Sequence, residues 1–331
     1  MNGELSLLDA TAQAELVRTG QVTAAELVTA AIERIEALNP ALNAVVTPVF
    51  DQAVEAARTG PAGPFAGVPY LLKDLACEME GVRFTEGSVF LADHVSTADS
   101  ELVVRLRKAG LVILGKTNTP EFGMAPACEP VLFGPARNPW DPQLSTSGSS
   151  GGSAAAVASG MVPFAHGNDL GGSLRYPASA CGLFALKPTR ALWQAGEKVT
   201  AAQWLLAVED VQRFSRRVAR FFTGFDAFLT PTMSTPPLPI GTIVSTPEDP
   251  WRSLQVSAQT VRYAGVVANL TGNPAMSVPL WWNNEGLPIG VHFLGRFGDE
   301  ATLIRLAAQL ETAQPWADRR PVVHAARSRV P

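Results

Sequence analysis

The chain has 331 residues, of which 47% are hydrophobic and only 17% are charged, and its net charge is −4 at pH 7. The charged fraction is below the roughly 25% of an average globular protein, which favours a chain that buries a large sheet and argues against disorder. The mild negative charge and the scattered basic residues argue against a nucleic-acid partner.

The first clear element is a helix. Thr23 and Glu26 have the spacing of a capping box, and Asn39-Pro40 is expected to end the helix. Helices and strands then alternate, which is typical of an α/β protein. The predicted strands lie at about 44–49, 70–72, 111–114, 227–230 and 288–293, and the later helices at about 100–109, 200–222, 254–270 and 300–310.

Two familiar motifs match by letter but not by context. Residues 110–117, GLVILGKT, fit the P-loop pattern, yet Leu-Val-Ile-Leu between the glycines predicts a buried strand rather than a phosphate-cradling loop. Residues 148–152 fit the nucleophile elbow of α/β-hydrolases with Ser150 at its point. That fold needs a downstream histidine, and neither His292 nor His324 lies in a turn-like context.

Cysteines and histidines point away from a metal site. The three cysteines lie about fifty residues apart, which fits reduced, buried thiols rather than a disulfide framework or a zinc site. The four histidines share no metal-ligand spacing, and His166 lies in an apolar stretch typical of a packed core residue. A serine hydrolase built from this chain must therefore take its base from a lysine.

Three weak features together suggest such chemistry. Lys73 follows an apolar strand, and burial disfavours the ammonium form that a base must lose. Two glycines before Ser173 leave backbone N–H groups uncrowded, as an oxyanion hole requires. Ser149, in a hydroxyl-rich turn, could relay a proton between them. Each feature alone has an ordinary explanation: a snorkelling lysine, a tight turn and a flexible linker.

Five segments meet a known pattern in order and spacing: GVPYLLKDL, GKTNTPEFG, SGSSGGSAAAVASG, GNDLGGSLRYPASACGLFALKPT and TGNPAMSVPL. They resemble the amidase signature family over nearly the whole chain, and the stretch 145–189 is highly specific. The resemblance implies an α/β fold with a mixed central sheet flanked by helices on both faces, as a single domain over 1–331. It also implies hydrolysis of carboxamide bonds through a serine acyl-enzyme, without metal or organic cofactor.

The resemblance carries residue roles onto this sequence. Lys73 falls on the catalytic base, Ser149 on the bridging serine that follows a cis peptide bond, and Ser173 on the acylated serine. The implied oxyanion donors are the backbone N–H groups of Leu170, Gly171, Gly172 and Ser173. Three further positions match supporting residues, Asp169 and Arg175 as a pair that holds the turn and Ser150 in the proton network.

The segments GPFAGVPYLLKDL and AHGND also resemble, more weakly, those of bacterial amidases of the 6-aminohexanoate-cyclic-dimer hydrolase type. This resemblance implies small amides or oligoamides as substrates. We expect a cytoplasmic protein with no membrane partner, because the sequence has neither a secretion signal nor an apolar run near the roughly 18 residues of a membrane span. A homodimer stays open.

The sequence departs from the family after KPTR. Arg190 runs straight into Ala191-Leu192-Trp193, where the family continues with a middle segment on the order of a hundred residues. All candidate catalytic residues precede this apparent deletion at about 190–191. The apparent deletion affects how complete the sheet and the substrate pocket are. We therefore expect exposed edges, lower stability or self-association.

Two alternative functions follow from these observations. One is an inactive or partner-dependent amidase-like scaffold, similar to the amidase-like component of an amidotransferase. The other is an α/β-hydrolase esterase with Ser150 as its nucleophile.

Overall fold

The computed structural model describes residues 2–189, 201–246, 248–249, 251–262 and 265–327. The chain divides into two compact units. Unit 1 comprises Met1–Asn168, Pro237–Ser257 and Arg319–Pro331, and unit 2 comprises Asp169–Pro236 and Ala258–Asp318. The single domain over 1–331 stays a prediction, and both the expected junction at 190–191 and the predicted helix start at Thr200 lie outside the described residues.

The described α-helices, in chain order, are α1 (Asn2–Leu5), α2 (Ala10–Arg18), α3 (Ala24–Leu42), α4 (Phe50–Arg58), α5 (Glu101–Lys108), α6 (Gly151–Ala158), α7 (Arg175–Cys181), α8 (Ala201–Phe221), α9 (Arg252–Thr260), α10 (Gly265–Thr271) and α11 (Glu300–Ala313). Short 3₁₀ turns lie at Val89–Leu91 and Glu121–Gly123. None of these described helices combines the length and the hydrophobicity that crossing a bilayer requires.

The described strands are β1 (Val45–Pro48), β2 (Pro69–Lys73), β3 (Val112–Thr117), β4 (Arg137–Asn138), β5 (Asp141–Ser145), β6 (Ala185–Lys187), β7 (Ala227–Pro231), β8 (Ala275–Trp282) and β9 (Pro288–Gly295). In the part of the chain that the structure describes, they form three hydrogen-bonded sheets. The expected α/β class is confirmed, and the P-loop interpretation of residues 110–117 is excluded because most of them form strand β3.

The sheet that positions the site is the mixed sheet of unit 1, with the order β1-β3-β2. The central strand β3 pairs antiparallel with β1 and parallel with β2, in a register that sets Lys73 opposite Thr117. On the far side of β2, Ala165 forms an isolated parallel bridge with Leu71. A buried cluster of side chains from α3, β2, β3 and α6 packs this sheet against its helices, including Val28, Leu71, Leu114 and Ala155.

Helix α3 begins as the sequence predicts and ends later. The Thr23 side chain accepts a hydrogen bond from the backbone N–H of Glu26, and the Glu26 side chain accepts one from the backbone N–H of Thr23. The prediction that Asn39-Pro40 ends the helix is wrong, because Pro40 lies inside it. Pro40 and Glu36, four residues earlier, are both exposed, so the lost helical bond faces water. The helix therefore continues to Leu42, whose side chain is buried.

Unit 2 contains an antiparallel sheet with the order β6-β8-β9-β7 and helices on both of its faces. Met276 and Val278 on one face of β8 pack with Leu303 of α11. On the opposite face, Gly290 of β9 donates its backbone N–H to the Ser179 hydroxyl of α7 at 2.9 Å. The alternation of apolar and small polar residues along these strands thus directs two different helices to the two faces.

The single helix predicted over 254–270 is wrong. The structure has α9 and α10, and Val261 and Arg262 between them are not helical. Tertiary hydrogen bonds take the backbone groups that a continuous helix would use: the Thr260 carbonyl accepts from the Ser234 N–H at 2.9 Å, and the Arg262 N–H donates to the Ser234 hydroxyl at 3.3 Å.

Candidate active site

Lys73 is fixed by its place at the end of strand β2. All five residues of β2 are buried, and Lys73 itself has no exposed surface. The strand is held on one side by β3 and on the other by the His166 backbone N–H, which donates to the Leu71 carbonyl at 2.9 Å. A buried ammonium group needs nearby acceptors, because water cannot solvate it there.

Those acceptors come from two loops of unit 1. The Lys73 Nζ lies 2.6 Å from the Ser149 Oγ and 2.6 Å from the Asn168 Oδ1. Ser149 is 1% exposed, and the peptide bond between Gly148 and Ser149 is cis. The structure therefore places the predicted base beside the predicted bridging serine.

The Gly/Ser-rich run around Ser149 is a packed segment rather than a linker. It leads directly into α6, whose residues are nearly all buried. A Cβ on Gly148 would lie 2.7 Å from the Ala125 carbonyl oxygen, and a Cβ on Gly152 would lie 2.4 Å from the Asn118 nitrogen. Glycine at these positions lets the start of α6 press against neighbouring backbone, which holds Ser149 in place.

Ser150 takes a different position from Ser149. It is 1% exposed, and its Oγ donates to the backbone carbonyl of Asn168 at 3.3 Å. Ser150 thus ties the start of α6 to the segment that carries Asn168.

A second buried lysine lies beside β2. The Lys116 ammonium on β3 contacts the Cys77 carbonyl and lies 3.9 Å from the Asp74 Oδ1. It also makes a cation–π contact with Phe84, 4.9 Å from the centre of the ring. Burial lowers the pKa of Lys116, with Asp74 opposing the shift, and burial raises the pKa of Asp74 against its hydrogen bonds from Thr85 and the charge of Lys116. These contacts fold the loop after Lys73 back onto the sheet.

The predicted nucleophile lies in unit 2, in the turn that leads into α7. Ser173 is half-buried, and Gly172 before it has φ of 120°, a value that glycine adopts without strain. The Asp169 carboxylate accepts the Gly172 N–H at 2.7 Å and the Leu174 N–H at 3.3 Å. The side chain of Asp169 therefore shapes the turn from inside.

A buried cluster holds Asp169 in turn. Arg175, with no exposed side-chain surface, donates from Nε and Nη2 to the two carboxylate oxygens of Asp169 at 2.8 and 2.9 Å. The same guanidinium donates to the Asn269 Oδ1 at 2.6 Å, and its Nη1 lies 2.7 Å from the His292 Nε2. Asn269 also donates to the Asp169 carboxylate at 3.0 Å and to its backbone carbonyl at 2.7 Å.

The cluster sets the charges of its members. Burial alone would raise the pKa of Asp169, but the charge of Arg175 and hydrogen bonds from Arg175, Asn269 and the Gly172 N–H outweigh it and lower that pKa to about 2. Burial, reinforced by the Arg175 charge, lowers the pKa of His292 to about 3. His292 is therefore neutral near pH 7, and its Nε2 accepts from Arg175.

The predicted site residues thus fall into two groups. Lys73, Ser149 and Ser150 meet in unit 1, while the predicted oxyanion donors 170–173 lie in unit 2 with Asp169 and Arg175. Sequence reasoning missed three residues that complete these groups: Asn168, Asn269 and His292. Asn168 lies inside the GNDLGGS motif at residues 167–173, whereas no local pattern marks Asn269 or His292 as partners of Arg175.

Comparison with known proteins places these features in a family. The Amidase family model matches residues 26–193 and 193–304. The 6-aminohexanoate-cyclic-dimer hydrolase of Paenarthrobacter ureafaciens is 46% identical over 244 residues, which cover 69% of this chain and 48% of that protein. The chain thus spans about half the length of this curated relative. AmiB2 of Mycobacterium bovis is 32% identical over 469 aligned positions, which cover 97% of this chain and 99% of AmiB2.

Solved structures agree with the sequence comparison. A 6-aminohexanoate cyclic dimer hydrolase complexed with substrate superposes with a TM-score of 0.87 at 27% identity, covering 96% of this chain and 100% of that chain. A bacterial aryl acylamidase of the amidase signature family has a TM-score of 0.73 at 21% identity, covering 94% of this chain and 97% of that chain, and shows the shared fold alone. The chain belongs to the amidase signature family.

Proposed function

We propose that the chain hydrolyses carboxamide bonds through an acyl-enzyme on Ser173. The observation that carries the proposal is the buried contact of 2.6 Å between the Lys73 Nζ and the Ser149 Oγ. A serine hydroxyl is a weak nucleophile until a base removes its proton, and a buried lysine can act as that base because burial disfavours its ammonium form. Serine–lysine variants of the hydrolytic triad use this chemistry.

The proposed reaction moves one proton along a relay. Neutral Lys73 takes the proton of Ser149 while Ser149 takes the proton of Ser173, and the Ser173 Oγ forms a bond to the amide carbonyl carbon. When the tetrahedral intermediate collapses, the carbon–nitrogen bond breaks and the relay returns the proton to the leaving amine. Water then enters by the same route, cleaves the ester and restores Ser173.

The turn at 170–173 is proposed to stabilise the oxyanion. Backbone N–H groups in a glycine turn can point together at one oxygen, and they cost no reorganisation when charge develops there. The Gly172 N–H already donates to Asp169, so we assign it to shaping the turn, together with the buried Asp169–Arg175 pair. The N–H groups of Leu170, Gly171 and Ser173 are then the proposed donors.

For the substrate we propose small linear or cyclic amides. The support is the 46% identity to a protein named 6-aminohexanoate-cyclic-dimer hydrolase. We also propose that the chain lacks the family's middle segment, as one shortened domain. Two findings support this: the two matched family segments meet at residue 193, and the alignment with AmiB2 has 469 positions against 331 residues in this chain. Three expectations stay predictions: a cytoplasmic location, no nucleic-acid partner and no membrane partner. A homodimer stays a possibility that the sequence leaves open.

Labelling with a fluorophosphonate tests the proposal. The probe phosphonylates an activated serine with loss of fluoride, and in-gel fluorescence reports the adduct. We expect labelling of the wild type, no labelling of Ser173→Ala, and labelling slowed by about 10³-fold or more in Lys73→Ala and Ser149→Ala, because the relay activates the nucleophile.

The matched control is Ser150→Ala, which should still label because the Ser150 hydroxyl donates to the Asn168 backbone carbonyl and is not proposed to carry the proton of Ser173. Loss of labelling in Ser150→Ala with full labelling of Lys73→Ala would instead support the esterase alternative. A wild type that is never labelled and hydrolyses no member of a panel of simple amides would favour the scaffold alternative.

A further inference from the structure

Asn168 makes a pair of contacts that join the lysine to the chain just beyond it. Its Oδ1 lies 2.6 Å from the Lys73 Nζ, and its Nδ2 donates to the Leu75 carbonyl at 3.1 Å. Leu75 is two residues past Lys73, so one amide group spans the end of strand β2. The Ser150 hydroxyl donates to the backbone carbonyl of Asn168 at 3.3 Å.

The contact with Leu75 determines which way the amide faces. A backbone carbonyl only accepts hydrogen bonds, so the group facing Leu75 must be the NH₂ end of the Asn168 side chain. The amide oxygen therefore faces Lys73, whose nitrogen must give it an N–H. The negative end of the amide dipole is thus held against the lysine nitrogen without adding a charge.

We propose that Asn168 is a positioning residue that tunes Lys73 for proton transfer, an inference that rests on the function proposed above. In the neutral amine, one N–H is fixed on the Asn168 oxygen while the nitrogen stays within 2.6 Å of the Ser149 hydroxyl, close enough for its lone pair to take that proton. Once the proton arrives, the same oxygen accepts from the ammonium and stabilises it in a site that water does not solvate.

Other charged and titratable groups around Lys73 set a background that the test must hold constant. Asp74 follows it in the chain, and Lys116 on β3 lies 3.9 Å from the Asp74 carboxylate. His166 and Cys128 interact electrostatically with Lys73. None of these groups changes in variants at position 168, so a shift in the titration of Lys73 between variants reports on residue 168 itself.

The test is an NMR titration of the lysine side chains. The chain has five lysines, so protein labelled with ¹³C at Cε gives a spectrum simple enough to assign Lys73 with a Lys73→Arg variant. An aspartate at position 168 would add a negative charge beside the nitrogen, so Asn168→Asp should raise the titration midpoint of Lys73 by about 1–3 pH units. Asn168→Ala removes the acceptor of the ammonium and should lower the midpoint by about one unit.

The matched controls are Asn284→Asp and Asn284→Ala in the exposed turn between β8 and β9, which should leave the Lys73 midpoint within about 0.2 units because exposed charges are screened. In active protein, the acid limb of the kcat/KM profile should move to higher pH in Asn168→Asp and to lower pH in Asn168→Ala. A folded Asn168 variant that loses activity while its Lys73 titration midpoint stays at the wild-type value would overturn the proposal. Because the NMR titration needs no turnover, it decides the role of Asn168 even if wild-type protein proves inactive.

Discussion

At the scale of single residues, the neutrality of His292 has a measurable consequence. His292 is 2% exposed and accepts from Arg175, whose charge disfavours a second cation beside it. Its pKa is about 3 in the folded chain, against an ordinary value near 6.5 in the unfolded chain. Between these values the unfolded chain binds the proton and the folded chain does not. The free energy of unfolding must therefore fall as the pH drops below about 6.5.

We predict that His292 alone accounts for a loss of about 2 kcal/mol in the free energy of unfolding between pH 7.5 and pH 5. The variant His292→Asn keeps an acceptor for Arg175 but does not titrate, so its loss over this interval should be smaller by that amount. Urea unfolding at the two pH values measures the difference.

The wild type, measured in the same two buffers, provides the control for this prediction. If His292→Asn kept the full wild-type dependence, the assignment of a buried neutral imidazole at position 292 would be wrong.

The same scale shows what sequence reasoning could and could not find at the site. Lys73, Ser149 and Ser173 lie in dense local motifs, so the sequence alone marks them as candidate site residues. Asn269 and His292 lie about 94 and 117 positions from Arg175, and their local sequence carries no sign of that contact. Partners of this kind follow from the packing of the folded chain and cannot be found from spacing.

At the scale of elements, α6 depends on a close approach of three backbone segments. The Gly152 N–H donates to the Asn118 carbonyl at 3.1 Å, and the Asn118 N–H donates to the Ala44 carbonyl at 2.9 Å. A Cβ on Gly152 would lie 2.4 Å from the Asn118 nitrogen and 2.6 Å from the Ala44 oxygen, so backbone rather than a flexible side chain would have to move.

We predict that Gly152→Ala lowers the free energy of unfolding by about 3 kcal/mol or more, because overpacking against backbone cannot relax locally. The control is Gly224→Ala after α8, where an added Cβ meets no atom within 4 Å, and the change should stay within about 0.5 kcal/mol. Chemical denaturation of both variants measures this, and equal stabilities would contradict the packing described for α6.

Elements with strong local signals were predictable, and elements decided by tertiary contacts were not. The capping box at Thr23 and the apolar run of β2 appear where the sequence indicates them. The end of α3 was missed because Pro40 is tolerated on an exposed face, which the sequence does not mark. The break between α9 and α10 was missed because hydrogen bonds to Ser234 create it.

At the scale of the whole molecule, each unit has its own buried clusters, and unit 2 leaves apolar side chains uncovered among its described residues. Phe228 and Leu229 are adjacent in β7 and are 43% and 57% exposed, so both faces of this strand meet solvent. Strand β7 ends the described order of its sheet. Exposed apolar side chains on a strand at the edge of a sheet favour self-association.

We therefore predict a broad, weakly cooperative urea transition when unfolding is followed by circular dichroism. Repeating the measurement at a tenfold lower protein concentration separates low cooperativity from self-association, since only self-association moves the midpoint with concentration. A sharp single transition, independent of concentration, would contradict this prediction and count against the proposed loss of a middle segment.

The central claim is that Ser173 carries the acyl group, and mass spectrometry of the chain quenched during turnover tests it most directly. A small amide with a slowly hydrolysed acyl group would be mixed with the protein, quenched in acid and digested. We predict that the acyl mass appears on the peptide that contains Ser173, that it disappears in Ser173→Ala, and that it forms far more slowly in Lys73→Ala. Turnover of the amide with an adduct on another residue, or with undiminished hydrolysis in Ser173→Ala, would contradict the account.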